Sequence, residues 1–179
     1  ASDVYKRQWQ KINERRGPET RAKIKAHRRD MLRMWDNFEK VALHFHSKGL
    51  PVAIEWPKGC TYWRLPRVQA LIKRLGLCFV EVHGCACGLA DDSGRPIHKP
   101  WLIATNCPQL LATLEPLKCS CKVKHAPCAG KYTRLTESYT DKMVKAIHLG
   151  WRRGAKDLRP VAASVPVTEQ EAEPGLAPP

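Results

Sequence analysis

The feature that most constrains the fold is an alternation of short apolar runs with amphipathic segments through the middle of the chain. Residues 51–57 (PVAIEWP) form an apolar run closed by proline, as in a buried strand that ends where the backbone can no longer donate. Residues 66–76 (PRVQALIKRLG) place Pro at a helix start and Gly at its end. Two further apolar runs follow, LCFVEV at 77–82 and WLIATN at 101–106, separated by a turn-rich stretch around Asp91, Asp92, Ser93 and Gly94. Ahead of them, Met31, Leu32, Met34, Trp35, Phe38, Val41, Ala42 and Phe45 recur at helical spacing and stop before Gly49, which reads as a left-handed cap. Strand, helix, strand in this order predicts an α/β fold. The expected form is a partial Rossmann-like βαβ unit with a small parallel sheet and a right-handed crossover. Its strands are expected at 52–56, 77–82 and 102–105, with helices 30–46 and 66–75 packed on them. A short helix over 109–114 and a longer one over 138–149 complete the set.

The chain has 179 residues, enough for one ordinary core with loose ends. Its apolar residues concentrate between about Leu32 and Trp151. Residues 9–29 are dense in Lys and Arg, are interrupted by Gly17 and Pro18, and read as a partly helical basic arm. Residues 30–154 read as the α/β domain, fragmentary in length. Residues 155–179 turn to Pro, Ala, Val and Glu and are expected to be a disordered tail. The opening ASDVYKRQ, residues 1–8, resembles translated sequencing-adapter read-through and is set aside from fold reasoning.

Charge narrows the partner. With 31 Lys and Arg against 17 Asp and Glu the net charge is +14, which draws the chain to polyanions by releasing their condensed counterions. DNA or RNA is the leading partner, with Arg15, Arg16, Arg21, Lys23, Lys25, Arg28 and Arg29 as the phosphate-contacting candidates. The alternative is a solvated basic surface without a specific ligand. No run of 18 or more apolar residues exists, and no apolar stretch near the start resembles a signal peptide, so no membrane partner and an intracellular (cytoplasmic or nuclear) location are expected. In that setting the eight cysteines read as reduced thiols or metal ligands rather than disulfides.

The densest soft-ligand cluster is C-x-C-x3-H-x2-C, formed by Cys119, Cys121, His125 and Cys128. Thiolates and a neutral imidazole suit tetrahedral zinc, and local clustering lowers the entropy of gathering them. The spacing is tighter than standard zinc motifs. One ligand can therefore come from elsewhere, with Cys60, Cys107 and His148 as donors, or the segment is a basic loop with incidental cysteines. A second cluster, His83-Gly84-Cys85-Ala86-Cys87-Gly88, reads more readily as a tight turn with small buried thiols than as a ligand site. Glu55 lies inside an apolar run and must either find a partner, face a cleft, or point to solvent; it is the best single site candidate.

Several stretches together resemble a module of retroelement-type polyproteins found among dinoflagellate transcripts. They are residues 54–63 (IEWPKGCTYW), 66–69 (PRVQ), 82–89 (VHGCACGL) and 94–101 (GRPIHKPW), continued by Ala104, Thr105 and Asn106 and then by Cys121, His125, Cys128, Thr133, Thr136, Tyr139 and residues 143–147. The resemblance spans about Leu32 to Gly150. That module in turn resembles the C-terminal half of a cytosine-5 methyltransferase-like Rossmann domain, in which a strand-end glutamate contacts the target base; Glu55 is the matching position. The resemblance implies a nucleic-acid-modifying parent using S-adenosylmethionine, its first half lying upstream. The chain has no cofactor-binding glycine motif and no Pro-Cys nucleophile ahead of Glu55. Two functions follow: a methyltransferase-like fragment of a mobile-element polyprotein, inactive alone, or a non-enzymatic basic nucleic-acid-binding module, zinc-stabilised.

Overall fold

A computed structural model describes residue 15 and residues 17–157. A long helix, α1 (Pro18–Ser47), leads into strand β1 (Ala53–Pro57), helix α2 (Pro66–Leu75) and strand β2 (Cys78–His83). Strand β3 (Pro100–Thr105) follows, then helices α3 (Pro108–Leu114), α4 (Lys131–Leu135) and α5 (Asp141–Asp157). Single 3-10 turns stand at Thr61–Arg64 and Gly84–Cys87.

The sheet is not parallel. Its order is β1-β3-β2, and β3 pairs antiparallel with both neighbours, Ile54 opposite Ala104 and Val80 opposite Ile103. The expected Rossmann-like parallel unit is thereby corrected. The strand-helix-strand order of β1, α2 and β2 is present, and these two strands run in the same direction, but β3 is inserted between them as in a split βαβ arrangement. The reason lies in the connection. A parallel addition needs a crossover, usually a helix, whereas the link from β2 to β3 is one 3-10 turn and a tight turn in which Asp91 Oδ1 accepts from the Ser93 and Arg95 N–H groups. Such a link returns the chain directly alongside the strand it left. Burial then fixes β3 as the central strand: Trp101, Ile103, Ala104 and Thr105 are all buried.

The two faces of the sheet carry two apolar layers. Ile54 and Ala104 pack with Trp35 of α1, Val68, Leu71 and Leu75 of α2, and Trp63. Val80, Val82, Trp101 and Ile103 pack with Leu110 and Leu114 of α3 and Met143 of α5. Helix α3 lies so close to α5 that a Cβ on Gly150 would come within 2.8 Å of the Leu110 Cα.

Helix boundaries follow chemistry the sequence carried. Helix α2 starts on Pro66 and ends at Gly76, whose φ of 61° is the left-handed conformation that favours glycine. Helix α1 begins at Pro18, well ahead of residue 30, so residues 18–29 of the basic segment are helical rather than an arm. Residues 9–14 and 16 lie outside the described residues, as do 1–8 and 158–179, while Ala155, Lys156 and Asp157 still belong to α5. No helix among the described residues is long and apolar enough to cross a membrane.

Candidate metal centre

Strand β2 delivers the first part of the site. It ends at His83 and passes into the Gly84–Cys87 turn, which presents Cys85. Glycine is required at the start of that turn, since a Cβ on Gly84 would meet Leu89 Cδ2 at 2.7 Å and the Lys99 carbonyl at 3.3 Å. The loop after α3 is then stitched onto the end of β2. His83 N–H donates to Leu117 O at 2.9 Å, and Cys119 N–H donates to His83 Nδ1 at 2.7 Å. Farther along, Ala126 N–H donates to Pro96 O at 2.8 Å, anchoring the other end of the loop.

Held this way, Cys85, Cys119, Cys121 and His125 converge, with one ligand atom from each lying within 4.8 Å of all the others. Cys119 Sγ and His125 Nε2 are 3.3 Å apart. A tetrahedral ion with bonds of about 2.3 Å to sulfur and about 2.0 Å to nitrogen needs ligand atoms roughly 3.5–3.8 Å apart. The cluster matches that size after a small inward contraction, so it is a Cys3His group that can hold a metal ion. All four residues are partly buried.

The electrostatics are those of thiols sharing too few protons. Burial, then hydrogen bonding to Cys119 and Cys121, pushes the Cys85 thiol up to about 12. The Cys121 backbone N–H holds Cys119 below the usual thiol range. A divalent cation would replace the protons and remove that conflict.

Around the ligands lies an orienting layer. Because His83 Nδ1 accepts from Cys119, a neutral His83 carries its proton on Nε2 and donates to Glu81 Oε1 at 3.0 Å. Glu81 in turn accepts from Lys58 Nζ at 2.7 Å, and that contact is the main cause of its lowered carboxyl pKa. The His98 ring bridges His83 and His125, with centroids 4.7 and 5.2 Å away.

The sequence placed Cys119, Cys121 and His125 together, and the structure brings them together. It separates Cys128 from them. Cys128 Sγ contacts Thr136 Oγ1 at 3.3 Å and packs against the second apolar layer. Cys85 takes the fourth position instead of Cys60, which is buried in the first layer, Cys107, which is buried ahead of α3, or His148, which is exposed on α5. The one trace of Cys85 in the sequence is the recurrence of C-x-C, at Cys85-Ala86-Cys87 and again at Cys119-Ser120-Cys121.

The other candidates lie elsewhere. Arg21, Lys23, Lys25, Arg28 and Arg29 are placed on α1, and Arg21, Lys25, Arg28 and Arg29 fall on one stripe at i, i+4, i+7 and i+8. Arg15 is exposed and Arg16 lies outside the described residues. Glu55 sits inside β1, where its Oε2 accepts from Tyr139 Oη while its Oε1 is buried without a partner. Burial, opposed by Tyr139 and Lys99, raises its pKa. The chain matches no known family model, no curated protein and no solved structure.

Proposed function

We propose that the chain is a non-enzymatic, basic nucleic-acid-binding module whose loop layer is organised by zinc at Cys85, Cys119, Cys121 and His125. The convergence of three sulfurs and one imidazole nitrogen within 4.8 Å carries this reading. Sulfur-rich sets favour zinc over hard cations, and a Cys3His set fills all four tetrahedral positions. No position is then left for a reacting water, which makes the role structural. Three thiolates around one divalent ion carry a net negative charge, and Lys118, Lys122 and Lys124 on the same loop offset it.

Support for a polyanion partner is the net charge of +14 and the basic stripe of α1. Such charges position phosphates without reading bases, so binding is expected to be weak and indifferent to sequence. Anisotropy titrations of a random duplex and a single-stranded RNA across a salt series test this. Replacing Arg21, Lys25, Arg28 and Arg29 with Gln should flatten the slope of log K against log salt by about 0.9 for each duplex phosphate that is no longer neutralised. An unchanged slope, or no binding to either nucleic acid, overturns the reading.

A second reading is a mobile-element methyltransferase-like fragment, and one observation favours it: Glu55 carries a buried, unpaired oxygen beside an aromatic cleft. S-adenosylmethionine would belong to a full-length parent, because an all-antiparallel sheet gives this chain no crossover of the kind that holds such cofactors. Recovery of an upstream glycine-rich strand-loop-helix and a Pro-Cys loop in a longer transcript would favour it over the module.

A further inference from the structure

Independently of the metal centre, we propose that the cleft between α1 and the edge strand β1 binds an N-methylated ammonium group that retains one N–H. The cleft has a volume of about 390 Å³, within the range of small-ligand sites, and its walls include Trp35, Phe38, Trp56, Tyr62, Met34 and Glu55. Aromatic faces carry the negative lobe of the ring quadrupole and attract soft cations. The rings do not form a flat slot. Trp35 is tilted 44° to Phe38 and 39° to Trp56, and Trp56 is tilted 56° to Tyr62, with centroids 5.3–5.8 Å apart. Faces that converge at angles suit a rounded alkylammonium better than a planar base, which needs a near-parallel pair.

Charge and hydrogen bonding then narrow the cation. Among the described residues, Glu55 is the only charged one in the lining, on a chain whose net charge is +14. Its influence is felt in the cleft wall, where it helps to push the Cys60 thiol up. One of its oxygens accepts from Tyr139 while the other is buried and unpaired, a costly state for an acceptor. The terminal torsion of Glu is broad, so the carboxyl can turn toward the cleft. A ligand N–H satisfies that oxygen and methyl groups meet the rings. A quaternary ammonium would offer the methyls without the N–H, and a primary ammonium is too strongly hydrated to prefer aromatic walls.

The test uses the intact chain and three probes: dimethylethanolammonium, choline, and 3,3-dimethylbutanol, the neutral isostere of choline. NMR shift titration of the Trp35 and Trp56 indole signals reports on occupancy. Dimethylethanolammonium should bind about ten-fold more tightly than the neutral alcohol, with choline between them. Glu55→Gln should cancel most of the gain over the alcohol while alcohol binding and the near-UV circular dichroism stay unchanged. Equal binding of all three probes, no binding of either amine, or displacement by cytidine of a probe that dimethylethanolammonium cannot displace would each overturn the proposal.

Discussion

Replacing Cys85 and Cys128 separately distinguishes the ligand set read from spacing from the one read from geometry. Structural zinc contributes apparent binding free energies of about 10–16 kcal/mol, or roughly 3 kcal/mol for each of four ligands. Water can occupy a vacated position and recover part of that. Cys85→Ser should therefore weaken zinc binding by about 100-fold, since roughly 1.4 kcal/mol corresponds to a factor of ten. Cys128→Ser removes only a thiol contact to Thr136 Oγ1 at 3.3 Å. It should lower stability by about 1 kcal/mol at most and leave zinc affinity within a factor of two of the parent. Competition against a chromophoric chelator under reducing conditions measures both affinities, and urea unfolding measures both stabilities. A Cys128→Ser affinity loss as large as that of Cys85→Ser would refute the geometry and restore the spacing-based set.

Gly150→Ala should destabilise the chain by about 1–3 kcal/mol in urea titration, because the new methyl would lie 2.8 Å from the Leu110 backbone. Gly59→Ala, which meets nothing within 4 Å, should stay within about 0.5 kcal/mol of the parent. Glu55 has a folded-state pKa raised above its ordinary 4.5, so its contribution is present at acid pH and is lost as pH rises through the raised value. Tyr139 and Cys60, which face it and are themselves pushed up, stay protonated across that window. The stability of the parent relative to Glu55→Gln should thus fall as pH rises from about 4 toward 7; a pH-independent difference would show that Glu55 is not held in a costly environment.

Much of the fold was legible because short elements announce their ends. Pro66 and Gly76 bracket α2 through their backbone preferences alone. Strand pairing was not legible. Periodicity identifies a strand but not its neighbour, and the insertion of β3 between β1 and β2 depends on the turn-built return from His83 to Pro100. The early start of α1 was masked for a different reason. Gly17-Pro18 reads as an interruption in a basic segment, yet Pro is favoured in the first helical turn and Lys and Arg are good helix formers. At the metal centre, Cys119, Cys121 and His125 were visible because they are close in sequence. Cys85 was not, because the bonds from His83 N to Leu117 O and from Cys119 N to His83 Nδ1 bring it there, and no linear spacing encodes them.

The central claim is most directly tested by X-ray absorption at the zinc edge on protein prepared with zinc under reducing conditions. The account predicts about one equivalent of zinc, with a first shell of three sulfurs at about 2.3 Å and one nitrogen at about 2.0 Å. Metal-free protein, or a shell dominated by oxygen and nitrogen, would contradict it and leave Cys85, Cys119, Cys121 and His125 as a cluster of reduced side chains.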